Sequence, residues 1–179
     1  MRFYQAQHPP LYYRLAVPLW RAFGGGARPL AAMAVLRLAN LFLGAAAVAV
    51  ALVGVRRLFV DERLARQAGM LIALQPLLLL AVARVSNDAL AQLAGMIAVV
   101  VLLRGAGSCL ARGAIAGLVS GVAVLARGTS IVLLPFGVLA LAAQARRGRL
   151  PVRTVVGGVI LFVVGHLATT WPQYRLNLA

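Results

Sequence analysis

"AAMAVLRLANLFLGAAAVAVALVGV", residues 31–55, decides the fold. A helix crossing about 30 Å of hydrocarbon needs about 20 predominantly apolar residues. This run exceeds that length, with Arg37 and Asn40 confined towards one end. Outward along the chain, residues 66–83 ("RQAGMLIALQPLLLLAVA") also qualify, and Pro76 predicts a kink that neighbouring helices must accommodate. Residues 88–103 form a shorter apolar run and 153–171 a full-length one. Between them, 113–126 and 130–144 fall short of a comfortable span and are separated by "RGTS", which reads as two short or tilted helices meeting at a break. The expected fold is all-α: a polytopic transmembrane helix bundle over 31–179 with about six membrane segments, two of them short. Ahead of it, residues 1–30 read as an extracytoplasmic proline and aromatic segment with an amphipathic interfacial helix.

Composition agrees with a membrane chain. It is 63% hydrophobic and 12% charged, with a mean hydropathy of +0.93, against roughly 45–50% apolar residues in soluble domains. Every basic residue is arginine, and the only acids are Asp61, Glu62 and Asp88. A net charge of +15 would point to nucleic acid in a soluble protein. Here the arginines lie mostly in short gaps between apolar runs, so they read as topology signals, with no nucleic-acid partner. Cys109 is the single cysteine, which excludes an internal disulfide and a cysteine-based metal site. The N-terminal "MRFYQAQHPP" has no apolar core of signal-peptide length.

Counting arginines in alternate gaps orients the bundle. With the N-terminal segment outside, the inward gaps hold Arg56, Arg57, Arg63 and Arg66, then Arg104 and Arg112, then Arg146, Arg147, Arg149 and Arg153. The internal outward gaps hold only Arg84 and Arg127. The positive-inside rule favours this orientation. It gathers the N-terminal motif, "RVSND", "RGTS" and the terminal "WPQYRLN" on the extracytoplasmic face of a bacterial plasma membrane. The inward arginines need no explanation beyond topology, whereas ionisable residues at the outward membrane edge mark a candidate site.

In "HPPLYY" the two prolines remove backbone donors and fix their own φ angles, giving a rigid extended entry that cannot be helix interior. Tyr12, Tyr13 and Trp20 suit the headgroup level, with each ring half buried and its polar atom wet. On the residues alone this is an interfacial anchor.

Taken in order, "HPPLYY", "VLRLANLFLG", "RRLF", "RVSNDALAQLAG", "GLVSGVAVLARGTSIVLLP" and "WPQYRLN" resemble the GT-C superfamily of polytopic glycosyltransferases that use polyprenyl-phosphate sugar donors. The likeness covers nearly all of the chain. It looks closest to uncharacterised bacterial membrane proteins with "HPPLYY" and "NNDAL"-type motifs, and is similar to the mannosyltransferase and lipid A aminoarabinose transferase group. The resemblance implies an extracytoplasmic site where a lipid-linked donor presents its phosphate to basic residues, with a glycan, lipid or protein as acceptor.

Under that resemblance His8, Arg84, Arg127 and Arg175 are candidate ligands of the donor phosphate, and Pro9, Pro10, Tyr12, Tyr13 and Asn87 line the lipid or substrate cavity. Asp88 becomes the acid of the second outward loop, contributing to catalysis, to acceptor binding or to a divalent cation; no cofactor is otherwise implied. Each has a plainer reading: His8 as a wet interfacial histidine, the tyrosines as anchors, and Arg127 and Arg175 as snorkelling side chains. Ser86, Asn87 or Asp88 would equally serve as a helix cap. A carboxylate at this depth is costly without a partner such as Arg84 or a cation, which tips Asp88 towards function. A guanidinium at Arg127 suits bidentate phosphate binding.

The resemblance also implies a helix and an acidic loop ahead of the proline motif, supplying the catalytic base. No acid precedes Asp61, so the chain is expected to be a piece of a longer enzyme and inactive alone. The competing reading is a non-catalytic membrane protein that binds polyprenyl phosphate or serves as an assembly subunit. A transporter is disfavoured, since no inverted repeat is visible and the polar residues gather at one face.

Overall fold

The computed structural model of the protein describes residues 11–103, 108–146 and 150–178, with side chains up to Trp171 except at 77, 82 and 145. Among the described residues all regular structure is helical: α1 Leu11–Ala22, α2 Pro29–Leu58, α3 Glu62–Ala73, α4 Pro76–Ala83, α5 Asp88–Leu103, α6 Cys109–Ala126, a 3-10 turn Gly128–Val132, α7 Leu133–Arg146 and α8 Val152–Leu178. Three of these are long and apolar enough to cross a membrane: α2, α6, and α8 as far as Trp171. Asp88–Leu103 and Gly128–Gln144 are shorter apolar helices. The protein is therefore a multi-pass membrane protein. Its many exposed large apolar side chains, such as Phe42, Leu71 and Leu139, then face lipid.

Two expectations change. The run 66–83 is two helices, not one kinked span. α3 stops at Ala73 and α4 starts afresh at Pro76, because proline lacks the N–H that would continue the ladder, whereas at the first position of a new helix that N–H is not needed. The run 113–126 is not short: α6 begins at Cys109 and is 18 residues long. The Ser108 hydroxyl accepts from the N–H of Ala111 at 3.1 Å and starts the helix early. Arg112 is buried within the bundle, so its charge does not end the helix.

α1 closes in a glycine turn. Gly24 adopts φ 77°, a left-handed conformation suited to glycine, and a Cβ on Gly25 would run into the Trp20 ring. α2 then buries one stripe, Ala32, Leu36, Asn40, Gly44, Ala47, Ala51 and Val55, spaced by three or four residues. Most of these are small, which lets α5 approach closely; a Cβ on Gly54 would press 2.5 Å from Val100 Cγ2.

α6 and α8 form the tightest seam. Added Cβ atoms at Gly113, Gly117 and Gly121 would meet, in turn, the backbone of Gly158, the backbone of Phe162, and Thr169 with the His166 carbonyl. Both registers rise together, so the two helices run parallel and α7 makes the return between them. Phe162, fully buried, fills the space over Gly137 of α7 and anchors a core with Leu102, Cys109, Ala116, Leu141 and Val155. One polar pair is sealed in this seam: Ser120 Oγ donates to the Gly117 carbonyl at 2.8 Å and lies 2.8 Å from His166 Nδ1. The other ring nitrogen of His166, Nε2, is buried with no partner among the described residues.

Candidate functional site

The chain brings its outward-gap residues together at one end of the bundle, and Asn40 does much of the assembly. It is 1% exposed inside α2, where an unpartnered amide would be expensive. Its Oδ1 accepts the Tyr12 hydroxyl at 3.0 Å, and its Nδ2 donates to the carbonyls of Arg84 at 2.5 Å and Ser86 at 3.0 Å. Three segments distant in sequence, α1, α2 and the α4–α5 loop, are thus tied to one side chain.

The α4–α5 loop distributes its polar groups separately. Ser86 Oγ accepts the N–H of Asp88 at 3.4 Å and donates to the Ala81 carbonyl at 3.3 Å, so among the three candidates it is Ser86 that meets the start of α5. Asn87 Nδ2 instead donates across to the Ala126 carbonyl at 2.7 Å, which satisfies a last-turn oxygen of α6. That leaves the Asp88 carboxylate free to face Arg127, with which it forms an ion pair. Arg127 ends α6 in extended conformation, its N–H bonded to the Ala123 carbonyl at 2.8 Å, which projects its guanidinium towards the first turn of α5. A carboxylate in that first turn is also favoured by the positive end of the helix dipole.

Below the pair lies a cleft of about 360 Å³. Asp88, Gln92, Gly95, Met96 and Val99 succeed one another down one face of α5, and Arg127, Thr129, Ser130 and Leu133 form the other side. The mouth is ionic and hydroxylated; the deeper wall is apolar. The Oε1 atom of Gln92 is buried here with no partner among the described residues. A second cleft of about 400 Å³ runs between α1 and α2, lined by Leu15, Leu19, Leu36, Phe42 and Leu90, with Tyr12 and Asn40 as its only polar side chains.

Of the residues singled out from sequence, Tyr12, Asn87, Asp88 and Arg127 meet at this end. Tyr12 is buried at 5% while Tyr13 stands 51% exposed, its ring edge-on to that of Tyr12. Burial pushes the Tyr12 phenol above its ordinary 10.0. Arg84 contributes its carbonyl; its exposed side chain lies outside the cleft lining, and Asp88 takes Arg127 as partner in its place. Asp88 offers a divalent cation one carboxylate, and that carboxylate pairs with Arg127. Among the described residues no three His, Cys, Asp or Glu side chains gather as a metal site. His8, Pro9 and Pro10 lie outside the described residues, and of Arg175 only the helical backbone is described. Sequence reading placed Asn40 near one end of a span without giving it a role, although a lone amide in an apolar helix is itself a signal. Gln92 and the hydroxyls of Thr129 and Ser130 carried no signal until the fold placed them on one cleft. Set against family models, curated proteins and solved structures, the chain matches none.

Proposed function

We propose that the protein is the membrane core of a GT-C-type glycosyltransferase that holds a polyprenyl-phosphate-linked sugar in the cleft beneath Asp88 and Arg127. One observation carries the reading: the cleft presents a guanidinium, paired with Asp88, and two hydroxyls at its mouth and is apolar along α5. A lipid phosphate has the same division. Arg127, Thr129 and Ser130 are the donors a phosphate needs, and Met96, Val99 and Leu133 offer surface to an isoprenoid chain. In this account the chain crosses the bilayer six times, through α2, the broken pair α3 and α4, α5, α6, α7 with its 3-10 turn, and α8. The arginine distribution supports placing the cleft on the extracytoplasmic side of a bacterial plasma membrane, and the acceptor is a glycan, a lipid or a protein.

The ion pair favours a second reading, a binder of polyprenyl phosphate without catalysis or an assembly subunit. Inverting transfer needs a base for the acceptor hydroxyl, and Asp88, the only one of the chain's three acids at this end, is held by Arg127. Purified full-length protein titrated with polyprenyl phosphate and with the uncharged polyprenol tests what both readings share. Tighter binding of the phosphate by about tenfold or more is expected; equal affinities would overturn both. Release of labelled sugar from a polyprenyl-phosphate donor, abolished in Asp88→Asn, selects the enzyme. Phosphate-dependent binding with no release selects the binder.

A further inference from the structure

We infer that the opposite end of the bundle carries a separate site for the phosphate of an anionic phospholipid headgroup, formed where Arg56 of α2 and Arg66 of α3 flank one cleft. This cleft, about 590 Å³, is lined by Arg56, Phe59, Val60, Glu62, Ala65 and Arg66. It lies far from the Asp88–Arg127 pair: between Asn40 and Arg56 the helix rises about 24 Å at 1.5 Å per residue. Topology accounts for arginines in this gap. It does not account for two of them, from different helices, converging on one cavity.

The charges in the cleft are not spent on one another. Glu62 lies on the same wall, yet among the described residues the only ion pair is that of Arg127 with Asp88. Asp61, the neighbouring acid, is occupied in capping α3, accepting from the N–H of Arg63 at 2.7 Å. Two uncommitted guanidiniums across an open space are a pairing surface for phosphate oxygens, which arginine takes in bidentate fashion. A lipid is the source because the rim is apolar: Phe59 and the fully exposed Val60 sit at the turn between α2 and α3. From that rim α3 runs on with Leu64, Met70 and Leu71 exposed, apolar surface for the acyl chains of a lipid whose headgroup sits at the membrane edge. Held there, the headgroup would bridge the end of α2 to α3 and fix the broken α3–α4 pair against the membrane.

Native mass spectrometry of the full chain in detergent, with equal amounts of short-chain phosphatidylglycerol and phosphatidylcholine, reads the site. Preferential retention of phosphatidylglycerol is expected, falling about tenfold in Arg56→Gln/Arg66→Gln and unchanged in Arg63→Gln, which lies outside the cleft lining. Glu62→Gln removes a like charge facing the lipid phosphate and should raise retention about twofold or more. Equal retention of the two lipids by the wild type, or a preference that survives the double substitution, overturns the inference. So does binding of inorganic phosphate that displaces no lipid.

Discussion

The side-chain amide of Asn40 donates to the carbonyl oxygen of Arg84 across 2.5 Å, tying the buried stripe of one apolar helix to a loop 44 residues further along the chain. The same side chain receives the Tyr12 hydroxyl, so its removal strands a phenol and two carbonyls at once. Asn40→Leu is expected to destabilise the protein by about 1–3 kcal/mol. It should also free α1 from α2, read as raised hydrogen exchange over residues 11–22. Protection there equal to wild type would contradict the assembly role given to Asn40.

The α6–α8 seam predicts a comparable loss at a residue with no polar chemistry. A Cβ on Gly117 meets the backbone of Phe162, and backbone cannot move aside as a side-chain tip does. Gly117→Ala should cost about 1–3 kcal/mol in unfolding from mixed micelles. Gly95→Ala, whose Cβ would sit 3.7 Å from Leu133 Cδ1 in ordinary contact, should cost less. The reverse ranking would mean that the seam is not packed as described.

Tyr12 gives a pH dependence with a fixed sign. Its folded-state value is raised above 10.0 by burial, so the folded protein holds the phenol proton more tightly than the unfolded chain does. Its contribution is complete below pH 10 and is lost as pH rises from 10 through the folded value. Above that window tyrosinate has no proton to give Asn40. Spectrophotometric titration should show one tyrosine ionising after the others and missing in Tyr12→Phe; loss of an early-titrating tyrosine instead would contradict its burial.

How much of this was legible beforehand depends on which physical signal each residue leaves in the sequence. Length and apolarity alone marked α2 and α8, because a bilayer imposes both. Pro76 announced an interruption, but whether proline bends a helix or starts a new one depends on neighbours, and here it stands at the head of α4. The start of α6 was misplaced because Arg112 read as a boundary; its burial is a tertiary fact. At the site, Asp88 and Arg127 were visible as costly charges at a membrane edge. Their mutual pairing was not, since 39 residues separate them and Arg84 was nearer in sequence. Gln92 left no trace at all: a glutamine in a helix is ordinary until its oxygen is found buried beside a cleft.

The cleft floor can be tested apart from its mouth. Gly95 lines the cleft beside Met96 and Leu133, and a Cβ there would sit in ordinary contact, 3.7 Å from Leu133 Cδ1. Gly95→Leu should fill the apolar wall, leave thermal stability within about 1 kcal/mol, and weaken polyprenyl phosphate while sparing a short-chain prenyl phosphate. Equal weakening of both ligands would place the lipid chain elsewhere.

The affinity of purified protein for polyprenyl phosphate, compared among wild type, Arg127→Ala and Asp88→Asn, tests the central claim most directly. Arg127→Ala should weaken binding about tenfold or more by removing a charge-assisted contact. Asp88→Asn should strengthen it, because the guanidinium is released from its internal partner and a negative charge leaves the mouth of the cleft. Unchanged affinity in both variants would contradict a phosphate site at the Asp88–Arg127 pair.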